Sequence, residues 1–245
     1  DVARVVSRYA SAMVVRTFAQ STLEVLAKYA SIPIINALSD DEHPCQALAD
    51  LLTIKEKKGT LEGLNIAYIG DGNNVAISLA LGAASVGADF TIASPRGYQI
   101  PSKAWGEVKR RAAFKASQVT QVESPQDAAT GADVIYTDAW VSMGQEEETE
   151  RRRMAFESYR VDQDLLAQAK AGALFMHPLP AHPGEEISPG LPRKTLPDGT
   201  VSQALCAEIK KLLNVCAEPM AGAGRWSRRC SSSSMAKHDP ICSRR

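Results

Sequence analysis

Leu64-Asn65-Ile66-Ala67-Tyr68-Ile69-Gly70-Asp71-Gly72-Asn73-Asn74 is the stretch that decides the fold. Its first six residues are apolar enough for a buried strand. The Gly-Asp-Gly-Asn-Asn run breaks that strand, and a helical pattern then occupies residues 75–86. The same unit repeats downstream. Strands are expected at 89–93, 119–122, 132–137 and 173–176, with helices at 101–115, 125–129 and 162–170 between them. Strand–helix alternation of this kind predicts a parallel, doubly wound sheet.

Upstream, residues 1–10 carry Val2, Val5, Val6 and Tyr9 at helical spacing. Residues 11–15 read as a short strand with Arg16 at its carboxyl end. Ser21 followed by Glu24 reads as a capping box for a helix reaching residue 30. Residues 32–37 read as a second buried strand, 38–42 as a polar loop, and 43–57 as a helix with Ala47, Leu48, Leu51 and Leu52 apolar. Residues 145–153 are densely charged, and Glu147–Arg151 and Glu148–Arg152 have the spacing of ion pairs on a solvated surface helix. Beyond Ala221 come a serine run and scattered arginines with almost no apolar periodicity, which reads as a disordered tail.

With 245 residues, 44% of them hydrophobic and 23% charged, the chain has the composition of a globular protein with a packed core. A net formal charge of zero argues against a general nucleic-acid or membrane-surface binder. No run is long enough to span a bilayer. The five cysteines show no metal or Cys-x-x-Cys spacing, so a reducing compartment, the cytoplasm or an organelle matrix, is expected.

Chemistry gathers on loops that leave strands, where open α/β sheets build their ligand sites. His43 opens a helix and Gln46 lies one turn on, so with Arg16 they offer an imidazole, an amide and a guanidinium to a carbonyl bearing a phosphate. The run Asp40-Asp41-Glu42 beside His43 lacks the second histidine that a metal site would need. The glycines of the 70–74 loop allow backbone to approach a ligand. A dinucleotide fingerprint is not completed, because Val75 stands where the third glycine belongs. Asn73 and Asn74 therefore read as groups aimed at a small zwitterion. Asp138 ends a strand and suits a substrate ammonium, and Ser142-Met143-Gly144 reads as a mobile covering loop. His177-Pro178-Leu179-Pro180 leaves a central strand with backbone carbonyls free to face a ligand. His182 and Glu185-Glu186 read as surface or hinge groups.

Taken together, His43-Pro44-Cys45-Gln46, Asp138-Ala139-Trp140-Val141-Ser142-Met143-Gly144 and His177-Pro178-Leu179-Pro180-Ala181-His182 resemble the ornithine carbamoyltransferase family. Ile32-Pro33-Ile34-Ile35-Asn36 and Gly70-Asp71-Gly72-Asn73-Asn74 add to the resemblance, which runs to about Ile187. It implies two doubly wound α/β domains, the first incomplete. Residues 1–57 would be the later part of a carbamoyl-phosphate domain with the connecting helix, 58–205 an ornithine-binding domain, and 206–245 a divergent tail. It further implies that Arg16, His43, Pro44, Cys45, Gln46, Pro178 and Leu179 contact carbamoyl phosphate. Asn74, Asp138, Ser142 and Met143 would contact L-ornithine, with Arg16, His43, Gln46 and Asp138 as the catalytic set. The amine of ornithine would attack the carbamoyl carbon to give citrulline and phosphate, with no metal or organic cofactor, in a cytoplasmic homotrimer of arginine metabolism.

The sequence departs from the family in three places. A phosphate-gripping Ser-Thr-Arg-Thr-Arg segment has no counterpart here. Pro178 replaces the family's cysteine, as in aspartate carbamoyltransferases. The family's closing segment gives way to the serine- and arginine-rich tail, which a shifted reading frame near Thr200 would produce. Two other readings stay open: a non-catalytic remnant that keeps amino-acid affinity, and a sister enzyme acting on aspartate, putrescine or an acylated ornithine.

Overall fold

The computed structural model describes residues 1–141, 146–189 and 191. Helix α1 (Val2–Val6) leads to strand β1 (Met13–Arg16), helix α2 (Gln20–Tyr29) and strand β2 (Ile34–Leu38), and β1 and β2 pair in parallel. Helix α3 (Pro44–Lys58) follows, with His43 at its N-cap, Pro44 in its first turn and Gly59 closing it in the left-handed region. Strand β3 (Asn65–Ile69), helix α4 (Asn74–Val86), strand β4 (Asp89–Ala93), helix α5 (Ser102–Lys115) and strand β5 (Val119–Val122) form successive strand–helix–strand units. Helix α6 (Pro125–Ala129), strand β6 (Val134–Thr137), helix α7 (Thr149–Phe156), helix α8 (Gln163–Leu166) and strand β7 (Leu174–Met176) complete the described elements.

The five strands β3 to β7 make one wholly parallel sheet in the order β5-β4-β3-β6-β7. From β3 the chain winds outward through β4 and β5. It then returns to the other side of β3 to lay down β6 and β7, so the carboxyl ends of β3 and β6 flank a topological switch point.

Side-chain alternation along β3 distributes its residues between two cores. Ile66 and Tyr68 face α4 and α5 with Phe90, Ile92, Val134 and Tyr136, whereas Ala67 and Ile69 face the side of α6, α7 and α8 with Ile135, Phe156 and Phe175. The doubly wound α/β expectation therefore holds. Helix α3 packs on α4 closely enough that a Cβ on Gly82 would lie 2.7 Å from Leu51 Cδ1, and this contact ties the β1–β2 layer to the larger sheet.

Several expectations for individual elements need correction. Helix α2 begins at Gln20 with Ala19 as its N-cap and no side-chain cap, so the Ser21–Glu24 capping box does not form. The first helix stops at Val6, and the helix expected at 162–170 shrinks to the four residues of α8, whose cap is Asp162. The charged run that leads into α7 and through Arg153 is not a simple solvated surface, although its expected Glu148–Arg152 pair does form. Arg152 is buried and joins Asp71 at 2.7 Å and Glu148 at 3.1 Å. The tail of 206–245 lies outside the described residues.

Candidate active site

The loop that leaves β3 sits at the switch point. A Cβ on Gly72 would come within 2.2 Å of Ile100 N and 2.4 Å of Gln99 C, so only glycine fits between this loop and the 98–100 backbone. The loop is pinned there by Gly72 N–H donating to Tyr98 O at 2.7 Å. Gly72 thus serves the protein's own packing, not the close approach to a ligand expected from sequence. Asn73 caps α4, its Oδ1 accepting from the N–H groups of Val75 and Ala76. Its Nδ2 donates to Asp138 Oδ2 at 3.0 Å, which bridges the two strand ends that flank the crevice.

Asp138 stands at the carboxyl end of β6, half-buried, with Oδ1 accepting from Ala139 N–H at 2.8 Å. Burial pushes its pKa up, and the Asn73 amide and the nearby His177 act against that shift. A carboxylate held this way is short of positive charge. It is placed to take an ammonium.

His43 and Gln46 come from the other layer. The backbone N–H of His43 donates to Ser78 Oγ on α4 at 2.8 Å, and Asn74 Nδ2 donates to Ser39 O at 2.6 Å. These two bonds hold the start of α3 and the 39–42 loop against the start of α4, so residues from both layers converge on one crevice. His43 Nδ1 is buried without a hydrogen-bond partner. Burial first, and then the positive charge of Arg16, lower the His43 pKa to about 4. Arg16 itself is exposed at the end of β1. Gln46 is buried and gives its Nε2 to Asp50 Oδ1 at 3.0 Å. The thiol of Cys45 is buried against β2, donating to Asn36 O at 3.3 Å, and burial raises its pKa.

The third motif leaves β7, whose Met176 pairs with Tyr136 of β6, so His177 follows at the strand end next to that of Asp138. His177 is buried, and its Nδ1 accepts from Leu179 N–H at 2.9 Å. Nδ1 therefore carries a lone pair, and the proton sits on Nε2, which donates to Glu186 Oε1 at 3.2 Å. Glu186 also accepts from the N–H of His182. Burial pushes the Glu186 pKa up, but the bonds from His177 and His182 outweigh it, and the carboxyl ends below its ordinary range. Glu186 is thus a fully buried anchor and not the surface or hinge group expected. Leu179 takes a left-handed φ of 59°, uncommon for a residue with a Cβ, and its side chain is exposed. The His177 bond to its N–H holds that turn in place.

Of the predicted residues, Arg16 ends β1, His43, Pro44, Cys45 and Gln46 open α3, Asn74 opens α4, Asp138 follows β6, and Pro178 and Leu179 follow β7. Ser142 and Met143 fall outside the described residues. Asn74 spends both ends of its amide on the fold, since Oδ1 accepts from Val75 N–H and Nδ2 holds Ser39. Sequence reasoning missed Ser39, Ser78 and Asp50; it paired Arg152 with Glu148, as the structure does at 3.1 Å, but left Arg152 on a solvated surface where the structure buries it. The only signal within reach was the i,i+4 spacing of Gln46 and Asp50. Arg152 donates to Asp71 and, at 3.2 Å, to the Trp140 carbonyl, so one guanidinium joins the loops after β3 and β6. Among the described residues no three His, Cys, Asp or Glu side chains gather as metal ligands, and no helix is long and apolar enough to cross a membrane.

Comparison with known proteins meets this geometry. Residues 1–56 match the family described as aspartate/ornithine carbamoyltransferase, carbamoyl-P binding domain, and residues 62–196 match its Asp/Orn binding domain. An ornithine carbamoyltransferase of Acidothermus cellulolyticus is 54% identical over 188 residues, which are 77% of this chain and 60% of that protein. One from Bacillus subtilis is 50% identical over 188 residues, 77% of this chain and 59% of the relative. The chain therefore spans about three-fifths of the length of these relatives. The solved ornithine carbamoyltransferase of Pyrococcus furiosus superposes with a TM-score of 0.82 at 44% identity, covering 86% of this chain and 68% of that one. Two layers joined through α3, a crevice at the β3–β6 switch point and family matches over both layers lead to one conclusion: the chain belongs to the aspartate/ornithine carbamoyltransferase family.

Proposed function

We propose that this chain carries the machinery of an ornithine carbamoyltransferase, moving the carbamoyl group of carbamoyl phosphate to the δ-amine of L-ornithine. What supports the reading is that the start of α3, which carries His43 and Gln46, is bonded to α4, whose cap Asn73 is bonded to Asp138. In this reading Arg16 and His43 polarise the carbamoyl oxygen and Gln46 meets the carbamoyl amide, while Asp138 holds the amino-acid substrate by its ammonium. The neutral δ-amine adds its electron pair to the carbonyl carbon, and an oxyanion forms under the Arg16 and His43 donors. The bond from that carbon to the phosphate oxygen then breaks. Phosphate leaves with the electron pair and takes up the proton that the amine nitrogen loses, and citrulline remains. Much of the acceleration would come from holding two substrates in line. The reading extends to a homotrimeric assembly and to a place in arginine metabolism.

The test is to incubate the purified chain with carbamoyl phosphate and ornithine and to measure citrulline. We expect turnover that falls roughly a hundredfold in Asp138→Asn, the scale of losing one positioned charged contact. Aspartate and putrescine serve as competing acceptors, and preference for either would overturn ornithine as the substrate. Ornithine binding with no citrulline from a folded sample would leave a binding remnant in place of an enzyme.

A further inference from the structure

Asp50 lies one helical turn beyond Gln46 on α3 and is 1% exposed. No step of the proposed reaction uses it, yet both its oxygens are engaged. Oδ1 accepts from Gln46 Nε2 at 3.0 Å, and Oδ2 accepts from Tyr136 Oη at 2.8 Å. Tyr136 comes from β6, where it pairs in register with Tyr68 of β3, and the two rings stack with centroids 5.5 Å apart. Asp50 is thus gripped by its own helix on one side and by the sheet on the other.

The chemistry of this contact fixes a direction. A side-chain amide can turn over about its last torsion and exchange its donor and acceptor ends at small cost. A carboxylate that receives a phenol proton can only accept from its other neighbour, so the edge of Gln46 facing Asp50 must be the –NH2 edge. The carbonyl Oε1 is then turned away from Asp50. Reversing the amide would set two acceptors against each other in a buried site, which is strongly disfavoured.

We propose that Asp50 is a positioning residue that holds Gln46 as a hydrogen-bond acceptor, so that the site selects a ligand bearing –NH2 on its acyl carbon over one bearing –CH3. The proposal rests on the reading of Gln46 as a carbamoyl-phosphate ligand, and it deepens that reading from binding to discrimination. A site built to receive an N–H group leaves a buried acceptor unpaired when the N–H is replaced by a methyl. Tyr136 is the second anchor, because without its phenol Asp50 would be held by Gln46 alone. Burial outweighs the bonds from Tyr136 and Gln46 and leaves the Asp50 pKa at about 7. The ionised form that this geometry needs prevails above that pH, so the titrations below are run about one pH unit higher.

Calorimetric titration of the 245-residue chain with carbamoyl phosphate, acetyl phosphate and inorganic phosphate tests this, comparing wild type with Asp50→Asn. The variant keeps the shape of Asp50 but can donate to Gln46 as readily as accept from it. We expect carbamoyl phosphate to weaken about tenfold, the worth of one hydrogen bond. Acetyl phosphate and inorganic phosphate should stay within about twofold, so that the carbamoyl-to-acetyl ratio collapses. Equal weakening of all three ligands would mean a packing role only and would overturn the proposal, as would an unchanged ratio. The side-chain amide resonances of Gln46 in the ligand-free chain give a second readout. The carboxylate-bonded proton should lie downfield in wild type and move upfield in Asp50→Asn. If the wild-type chain binds none of the three phosphates, Gln46 is not a carbamoyl-phosphate ligand and the discrimination falls with the functional reading. An unshifted amide proton overturns the Gln46–Asp50 tie whatever the ligands do.

Discussion

His43 shows how far one residue's surroundings set its chemistry. Its ring is partly buried, with Nδ1 unpartnered and the Arg16 charge nearby, and its pKa drops from 6.5 to about 4. A pKa that falls on folding means that the folded state favours the neutral ring. The resulting stability is complete above the unfolded value of about 6.5 and is lost as pH drops toward 4. At neutral pH His43 is therefore an uncharged hydrogen-bonding group, and the positive charge beside it belongs to Arg16. We predict that the ring proton resonances of His43 in the ligand-free chain titrate with a midpoint near 4, and a midpoint near 6.5 would show the ring to be solvated and the prediction wrong. The places of His43 and Gln46 at a helix start and of Asp138 at a strand end were legible in the sequence, because their local strings carry the pattern. Arg152 and Glu186 were not. The partner of Arg152 stands 81 positions away at Asp71, and Glu186 is buried only because His177, nine residues earlier, turns its Nε2 proton inward. Charge in a sequence reads as solvated until the fold supplies its partner.

Strands and helices were easier to read than the bonds between them. Alternation of buried strands and amphipathic helices located every strand of the five-stranded sheet, and β4, β5 and α6 match their expected limits residue for residue. Ends decided by tertiary contact went astray. Helix α2 starts at Gln20, whose Oε1 accepts from Ser39 Oγ at 2.7 Å, a contact from another loop that overrides the Ser21–Glu24 signal. Helix α7 was the largest misjudgement, since its charged sequence hides one inward guanidinium. Arg152 stacks over Tyr98 at 5.1 Å, bonds to Asp71 and to the Trp140 carbonyl, and so ties α7 to two loops of the crevice. Removing it would strand Asp71, whose pKa burial already raises while Arg152 pulls it back. We predict that Arg152→Ala lowers unfolding stability by about 3 kcal/mol, the scale of one partner lost from a buried pair. The neighbouring Arg153→Ala should cost under about 1 kcal/mol, because its pairs with Glu150 and Glu185 are solvent-exposed. Urea denaturation of the two variants beside wild type checks both values, and equal losses would mean that the Asp71 pair contributes no more than a surface bridge.

At the scale of the whole molecule, the described part of the β1–β2 layer leaves more apolar side chains in water than the five-stranded sheet does. The five-stranded sheet has helices on both faces and its large side chains fully buried, Tyr68, Phe90, Tyr136 and Phe156 among them. The β1–β2 layer pairs only two strands among the described residues, so each strand keeps an unpaired edge there. The apolar periodicity of residues 1–10 promised a covered face. Instead Val2 is 66% exposed and Tyr9 86%, and Val14 on β1, Phe18 beyond it, and Val25 and Tyr29 on α2 are exposed as well. Helices α1 and α2 and strands β1 and β2 contact one another, so these side chains share one small layer; Phe114 and Met154, the exposed apolar residues of the larger sheet's helices, come from separate helices. Apolar surface gathered on one layer drives association in water. We therefore predict that the chain self-associates through the β1–β2 layer. Sedimentation velocity over rising concentration should show a shift from monomer to oligomer, and kosmotropic salt should strengthen it. Val14→Lys with Val25→Glu should return the monomer without moving the melting temperature by more than about 2 °C, since both side chains are already in water. A discrete trimer in wild type would agree with the assembly proposed above, whereas open-ended growth would point to strand edges pairing without closure. A chain that stays monomeric at every concentration would show that this layer tolerates its exposed face, and association would then play no part in the activity tested above.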